Sequence, residues 1–212
     1  MALQQLLTGA RRHLTDSVAL IAASTPGGAL LENVVAGMSD DISLKTRFMI
    51  GGLYLAGLGG ALGWGRDFSR RIFHITEKTK ERYQQLHDMA YVAAVTLVLH
   101  PTLYFVAGSK EIKEIALATG FATVAAFATG GILGYSLDLF RDLTGYKSST
   151  RIPEKIRNMP GKAKKAFAVA VFSASLGITG LIYYLTPDKT ETIPPFPTQT
   201  ETLEYYVNQE LP

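Results

Sequence analysis

The chain has no cysteine, one tryptophan and four histidines in 212 residues. Lack of cysteine excludes a disulfide framework, thiolate metal sites and a cysteine nucleophile, and leaves the redox compartment open. The histidines are scattered, and no nucleophile elbow, phosphate-binding loop or zinc spacing occurs. No catalytic constellation, metal or cofactor is therefore expected, and the chain does not read as an enzyme. Charge is scarce as well, at 18% of residues, and it is unevenly placed.

What is present are five apolar stretches, at 14–38, 48–65, 89–107, 115–137 and 166–185. Each approaches the ~20 residues, at ~1.5 Å rise, that a bilayer core demands. The expectation is an all-α membrane protein with five transmembrane helices. A cleaved signal peptide is rejected for the first stretch, because it carries Asp16, Glu32 and the helix-unfriendly Pro26-Gly27-Gly28. Residues 2–8, with Leu3, Leu6 and Leu7 on one helical face, suit the inner interface.

Orientation follows from the connections. Sixteen of the 21 Lys and Arg fall in the amino-terminal segment and the second and fourth connections; Lys45, Arg47, Lys110, Lys113 and Lys189 lie on the other side. The positive-inside bias places the N-terminus in the cytoplasm and the C-terminus outside, in a multi-pass protein of the cell membrane. Basic residues beside spans meet anionic headgroups, so the net charge of +3 needs no nucleic-acid partner.

The sequence repeats itself at an offset of 71. Gly59-Gly60-Ala61-Leu62-Gly63-Trp64 aligns with Gly130-Gly131-Ile132-Leu133-Gly134-Tyr135, Asp67 with Asp138, Arg70 with Arg141, and Val35-Ala36-Gly37 with Val106-Ala107-Gly108. Two-span repeats, about 14–71 and 87–142, both return to the side they start from, so they are parallel and their interface is the default substrate path. Residues 1–146 thus form a four-helix core, followed by a basic cytoplasmic linker at 147–165, a fifth span at 166–186 and an acidic, largely extended external tail at 187–212. Gly59, Gly63, Gly130 and Gly134 belong to small-x-x-x-small faces, where close backbone approach supplies helix packing in lipid.

Ionisable groups within spans are costly and each needs an account. Glu32 and His100 lie at similar depth near the outer face and are candidates for a proton-binding site; Glu32 pairing with Arg47, or His100 hydrogen-bonded in the bundle, are the structural alternatives. Pro26 and Pro101 should kink their helices there and free backbone groups for a substrate. Asp16 and Asp88, at equivalent places just inside the cytoplasmic face, read as helix N-caps. Asp67 with Arg70, and Asp138 with Arg141, read as i,i+3 pairs at helix ends, or as an inner gate because they are duplicated.

One family matches these landmarks. Asp16-Ser17, Leu31-Glu32, Gly37-Met38-Ser39, Arg47, Gly63-Trp64-Gly65-Arg66-Asp67, Ala90-Tyr91-Val92 and Gly134-Tyr135 with Asp138 and Arg141 resemble the L-alanine exporter family of small four-span inner-membrane proteins, over 14 to about 146. The resemblance implies proton-driven export of L-alanine or a similar small neutral amino acid. The linker, fifth span and tail depart from that pattern, and so does the Gly- and Pro-rich first span. Four or five spans enclose little volume, so a homo-oligomer, most simply a dimer, is expected. A non-transporting scaffold or accessory subunit, docking through the fifth helix and tail, and a passive small-solute channel are the rival readings.

Overall fold

The computed structural model describes residues 2–35, 40–106 and 112–186. Among them every regular element is helical. Helix α1 (Ala2–Ala29) widens into a π-helical turn at Leu30–Val35. Next come α2 (Asp40–Leu53) and α3 (Gly59–Ile72), joined through a second π turn at Tyr54–Leu58. Helix α4 (Glu81–Val106) and helix α5 (Ile112–Leu143) form the next hairpin, and the one-turn α6 (Glu154–Arg157) leads to α7 (Gly161–Leu185). The outer connections at 36–39 and 107–111, part of the repeat alignment, and the tail at 187–212 lie outside the described residues.

Polarity is inverted relative to a water-soluble protein. Ile112, Phe48, Val98 and Phe121 are largely exposed, whereas Asp16, Asp88, Arg66 and Arg141 are at most 1% exposed. Side chains this apolar on an outer surface fit a lipid solvent, and charges inside fit mutual pairing. Among the described residues three helical runs are long and apolar enough to cross a membrane: Ser43–Ile72, Thr119–Leu143 and Gly161–Leu185. The other two expected stretches, 14–38 and 89–107, each run into residues outside the described set.

Helices begin earlier than the apolar runs. Helix α1 is already helical at Ala2 and α4 at Glu81, because the backbone bonds of a helix do not end where lipid gives way to water. Pro26 sits inside α1, four residues before the π turn that opens at Leu30, and Pro101 sits inside α4. The sharpest break falls elsewhere, at Gly57 in the Tyr54–Leu58 turn, with φ 146° and ψ −29°. Only glycine adopts that φ without strain.

Both hairpins end alike. His74 (φ 55°) follows α3 in a left-handed conformation, and the Ile75 amide bonds back to the Arg70 carbonyl at 2.8 Å. Gly145 (φ 69°) follows α5, and the Tyr146 amide bonds back to the Arg141 carbonyl at 2.8 Å. These are six-to-one helix C-caps at positions 71 apart.

Helix α7 packs against the core. Ala168, Val171 and Phe172 of α7 pack against the cluster of Ala19, Leu20, Leu137 and Phe140. The Ser175 hydroxyl donates to the Ala22 carbonyl at 2.6 Å, and the Tyr183 hydroxyl meets Ser43 at 2.9 Å.

Candidate functional site: a central cavity above an arginine and aspartate lattice

Glycines set the helix spacing that builds the site. A Cβ on Gly59 would lie 2.7 Å from the Ser17 Cα, and one on Gly130 would lie 2.7 Å from the Met89 Cα. One turn further, a Cβ on Gly63 would strike the Asp16 carboxylate and one on Gly134 the Asp88 carboxylate. The two hairpins therefore make the same contacts, displaced by 72 on the first helix and 71 on the second. All four glycines of the small-residue faces lie where a neighbouring helix approaches closely.

That approach places Asp16 and Asp88 within the bundle. Neither caps a helix: Asp16 lies in the middle of α1, and Asp88 lies two turns inside α4. Their partners come from the opposite hairpin. Arg141 of α5 grips Asp16 through Nε at 2.6 Å and Nη2 at 2.8 Å. Arg70 of α3 grips Asp88 the same way, at 3.2 and 2.9 Å.

The expected i,i+3 pairs are also exchanged between hairpins. Arg141 donates to Asp67 at 2.8 Å, and Arg70 lies 3.5 Å from Asp138. An i,i+3 partner lies on the same helix surface, but here the glycine-thinned interface brings a fully desolvated carboxylate within reach of each guanidinium, and charges out of water pair where burial is deepest.

Three further arginines complete the lattice. Arg66 bridges Asp88 (2.8 and 2.9 Å) and Asp138 (2.9 and 2.8 Å) through four hydrogen bonds. Arg12 donates to Asp67 at 2.8 Å. Arg151 reaches in from the segment after α5 and donates through Nη1 to Asp88 at 2.7 Å and Asp138 at 2.9 Å. Burial alone would lower the Arg151 pKa, but Asp138 and Asp88 outweigh it and hold the guanidinium above the ordinary arginine value.

The segment carrying Arg151 is fastened. Ile152 is buried, and Glu77 of the α3–α4 connection accepts from the Ser149 hydroxyl at 3.1 Å and from the Thr150 amide at 2.9 Å. The α3–α4 connection and the segment after α5 thus close over the lattice together. Four arginines that the sequence places beside headgroups, Arg66, Arg70, Arg141 and Arg151, are instead internal.

Above the lattice lies a cavity of about 240 Å³. Arg66 and Asp88 form its inner end, Thr96 and His100 line it further out, and Leu20, Leu53, Val92 and Leu133 supply apolar wall. His100 donates from Nδ1 to the Thr96 carbonyl at 3.1 Å. Of the expected outer site, only His100 lines this cavity. Arg47 lines a separate lateral groove between α1, α2 and α7, of about 620 Å³, and its guanidinium packs against Gly28. Pro26 and Pro101 line neither, and the Glu32 side chain lies outside the described residues.

Comparisons with family models, with curated proteins and with solved structures return no match.

Proposed function

We propose that this chain is a proton-coupled exporter of a small neutral amino acid, L-alanine first among them. It does so as a five-span protein of the cell membrane with a cytoplasmic N-terminus and two parallel hairpin repeats related by an axis along the membrane normal. The observation that carries the reading is the 240 Å³ cavity with an arginine and an aspartate at its inner end and a histidine on its wall. The resemblance of the motif residues to the L-alanine exporters supports it independently.

A zwitterion matches that cavity chemically. Its carboxylate suits the Arg66 guanidinium in bidentate geometry, its ammonium suits Asp88, and a small side chain suits the apolar wall. Arg66 and Asp88 are bonded to one another and to Asp138, so the substrate exchanges ion pairs and leaves no charge bare. Exchange between nearly equivalent pairs keeps the barrier low although the site is buried. His100, which changes charge in the physiological range as a residue type, gives the cavity a group that can take up a proton.

The test is counterflow of labelled L-alanine in proteoliposomes, with and without an imposed proton gradient. Gradient-dependent uptake is expected. Arg66→Lys should abolish it, since an ammonium cannot replace a fork that bridges two carboxylates. Uptake indifferent to the gradient would identify a passive channel, and no uptake of any small neutral amino acid would defeat the reading.

A further inference from the structure

The break at Gly57 lies against α1, whose side chains bond to backbone groups on both sides of it. The Ser17 hydroxyl donates to the Tyr54 carbonyl at 2.7 Å. The His13 imidazole is inserted between two backbone groups five residues apart. Its Nε2 meets the Leu55 carbonyl at 2.8 Å, and its Nδ1 accepts from the Gly60 amide at 3.1 Å. One ring therefore spans the kink, gripping α3 just past Gly57 on one side and the π turn on the other.

This geometry fixes the ring's protonation. A carbonyl accepts only, so Nε2 carries the hydrogen; an amide donates only, so Nδ1 carries a lone pair. Both bonds together require the neutral Nε2–H tautomer. Histidine is the side chain whose charge ordinarily changes between roughly pH 5 and 8.

The second hairpin supplies a contrast within the same molecule. Gly131 corresponds to Gly60, and the side chain that a Cβ there would meet is Gln85, at 2.8 Å. Gln85 stands 72 places after His13, the same displacement as from Asp16 to Asp88. Helix α5 runs unbroken past that point. The hairpin with the titratable side chain is the one with the broken helix.

We propose that His13 is a proton-operated latch on the second membrane helix. Neutral His13 bridges Leu55 and Gly60 and holds α2 and α3 at one angle. A proton taken from solvent onto Nδ1 sets an N–H donor against the Gly60 N–H, breaks that bond and leaves the Leu55 bond intact, so α3 is released at Gly57. No other covalent bond changes.

The charged groups around His13 are already paired. On α1, Arg12 binds Asp67 of α3 and Asp16 binds Arg141 of α5. Tyr54, the first residue of the π turn, is bonded to Ser24. Among the described residues no Asp or Glu forms an ion pair with His13. The latch extends the proton-coupled reading above by adding a proton site on the cytoplasmic half, and its test needs no cargo.

The full chain, labelled with ¹⁵N-glycine and ¹⁵N-histidine in lipid nanodiscs, is titrated from pH 8 to pH 5 and read by NMR. The expected result is an Nε2–H tautomer for His13 at high pH, and a Gly60 amide that shifts and exchanges faster with the same midpoint as the His13 ring. Gly131, facing Gln85, should not move. His13→Gln keeps one donor and one acceptor but cannot titrate, so its Gly60 amide should lose the step. A Gly60 amide that ignores the His13 titration, or a step that persists in His13→Gln, overturns the latch. Should the variant fail to fold, the wild-type titration decides alone. Because neither readout involves transport, failed alanine counterflow leaves the latch standing, and a flat Gly60 titration leaves the transport reading standing.

Discussion

Arg141 on the last core helix clasps Asp16 on the first, 125 residues away, with both oxygens of a fully buried carboxylate held by one guanidinium. Arg70 and Asp88 form the matching clasp in the other direction. Each hairpin thus supplies the acid for the other's base, and this reciprocity organises the inner half of the molecule.

Removing one partner should be severe. Asp16→Asn leaves Arg141 with Asp67 as its remaining carboxylate, and breaking a buried pair costs about 3–5 kcal/mol. Asp88→Asn should lose more, because Arg66, Arg70 and Arg151 all converge on that carboxylate. The exposed pair of Asp41 and Lys45 gives the contrast, and Asp41→Asn should leave the unfolding midpoint in detergent unchanged. Equal midpoints for all three variants would refute the lattice.

Glycine replacements should separate sharply by position. Gly63→Ala and Gly134→Ala drive a methyl into a paired carboxylate, and overpacking of this kind costs about 1–3 kcal/mol. Gly177→Ala in α7 meets open space and should be neutral or stabilising by up to about 1 kcal/mol, through helix propensity. Denaturation of the three variants in the same micelle checks the order.

His74 occupies a left-handed position that its counterpart fills with Gly145. His74→Gly should stabilise the chain by about 1 kcal/mol, since a non-glycine residue there pays about 1–2 kcal/mol. Gly145→Ala should destabilise it by a similar amount. If the two substitutions shift the midpoint in the same direction, the caps are not equivalent.

Arg151 should seal the lattice end of the cavity. The chain has no native thiol, so Thr96→Cys on the cavity wall can be labelled without background. Adding Arg151→Ala should speed labelling by a membrane-impermeant reagent applied from the side of the membrane that bears Arg151. An unchanged rate would mean that the inner end is closed without Arg151.

The repeat made much of this site legible. Aligning the halves singled out Gly59, Gly63, Gly130 and Gly134, and it set Asp16 and Asp88 at equivalent places; in the structure Gly63 lies against Asp16 and Gly134 against Asp88. The reading of those aspartates as caps failed because hydropathy marks where lipid begins, while the helices run on well beyond that boundary. The reading of Asp67 with Arg70 as neighbours failed because spacing along one helix says nothing of a carboxylate arriving from the facing hairpin. Arg66 was visible only as part of a motif, and Arg151 left no signal in the sequence. The bend at Gly57 was hidden among several nearby glycines, and only the imidazole of His13 marks which one yields.

The exchange of acids and bases between halves also bears on how the chain is made. While only the first hairpin has left the ribosome, Asp16, Arg66 and Arg70 have yet to meet Arg141, Asp88 and Asp138, so the charges of the first hairpin find these partners only when the second hairpin arrives. A lone hairpin would meet its charge requirements by joining an identical copy, and gene duplication with fusion would preserve that arrangement within one polypeptide.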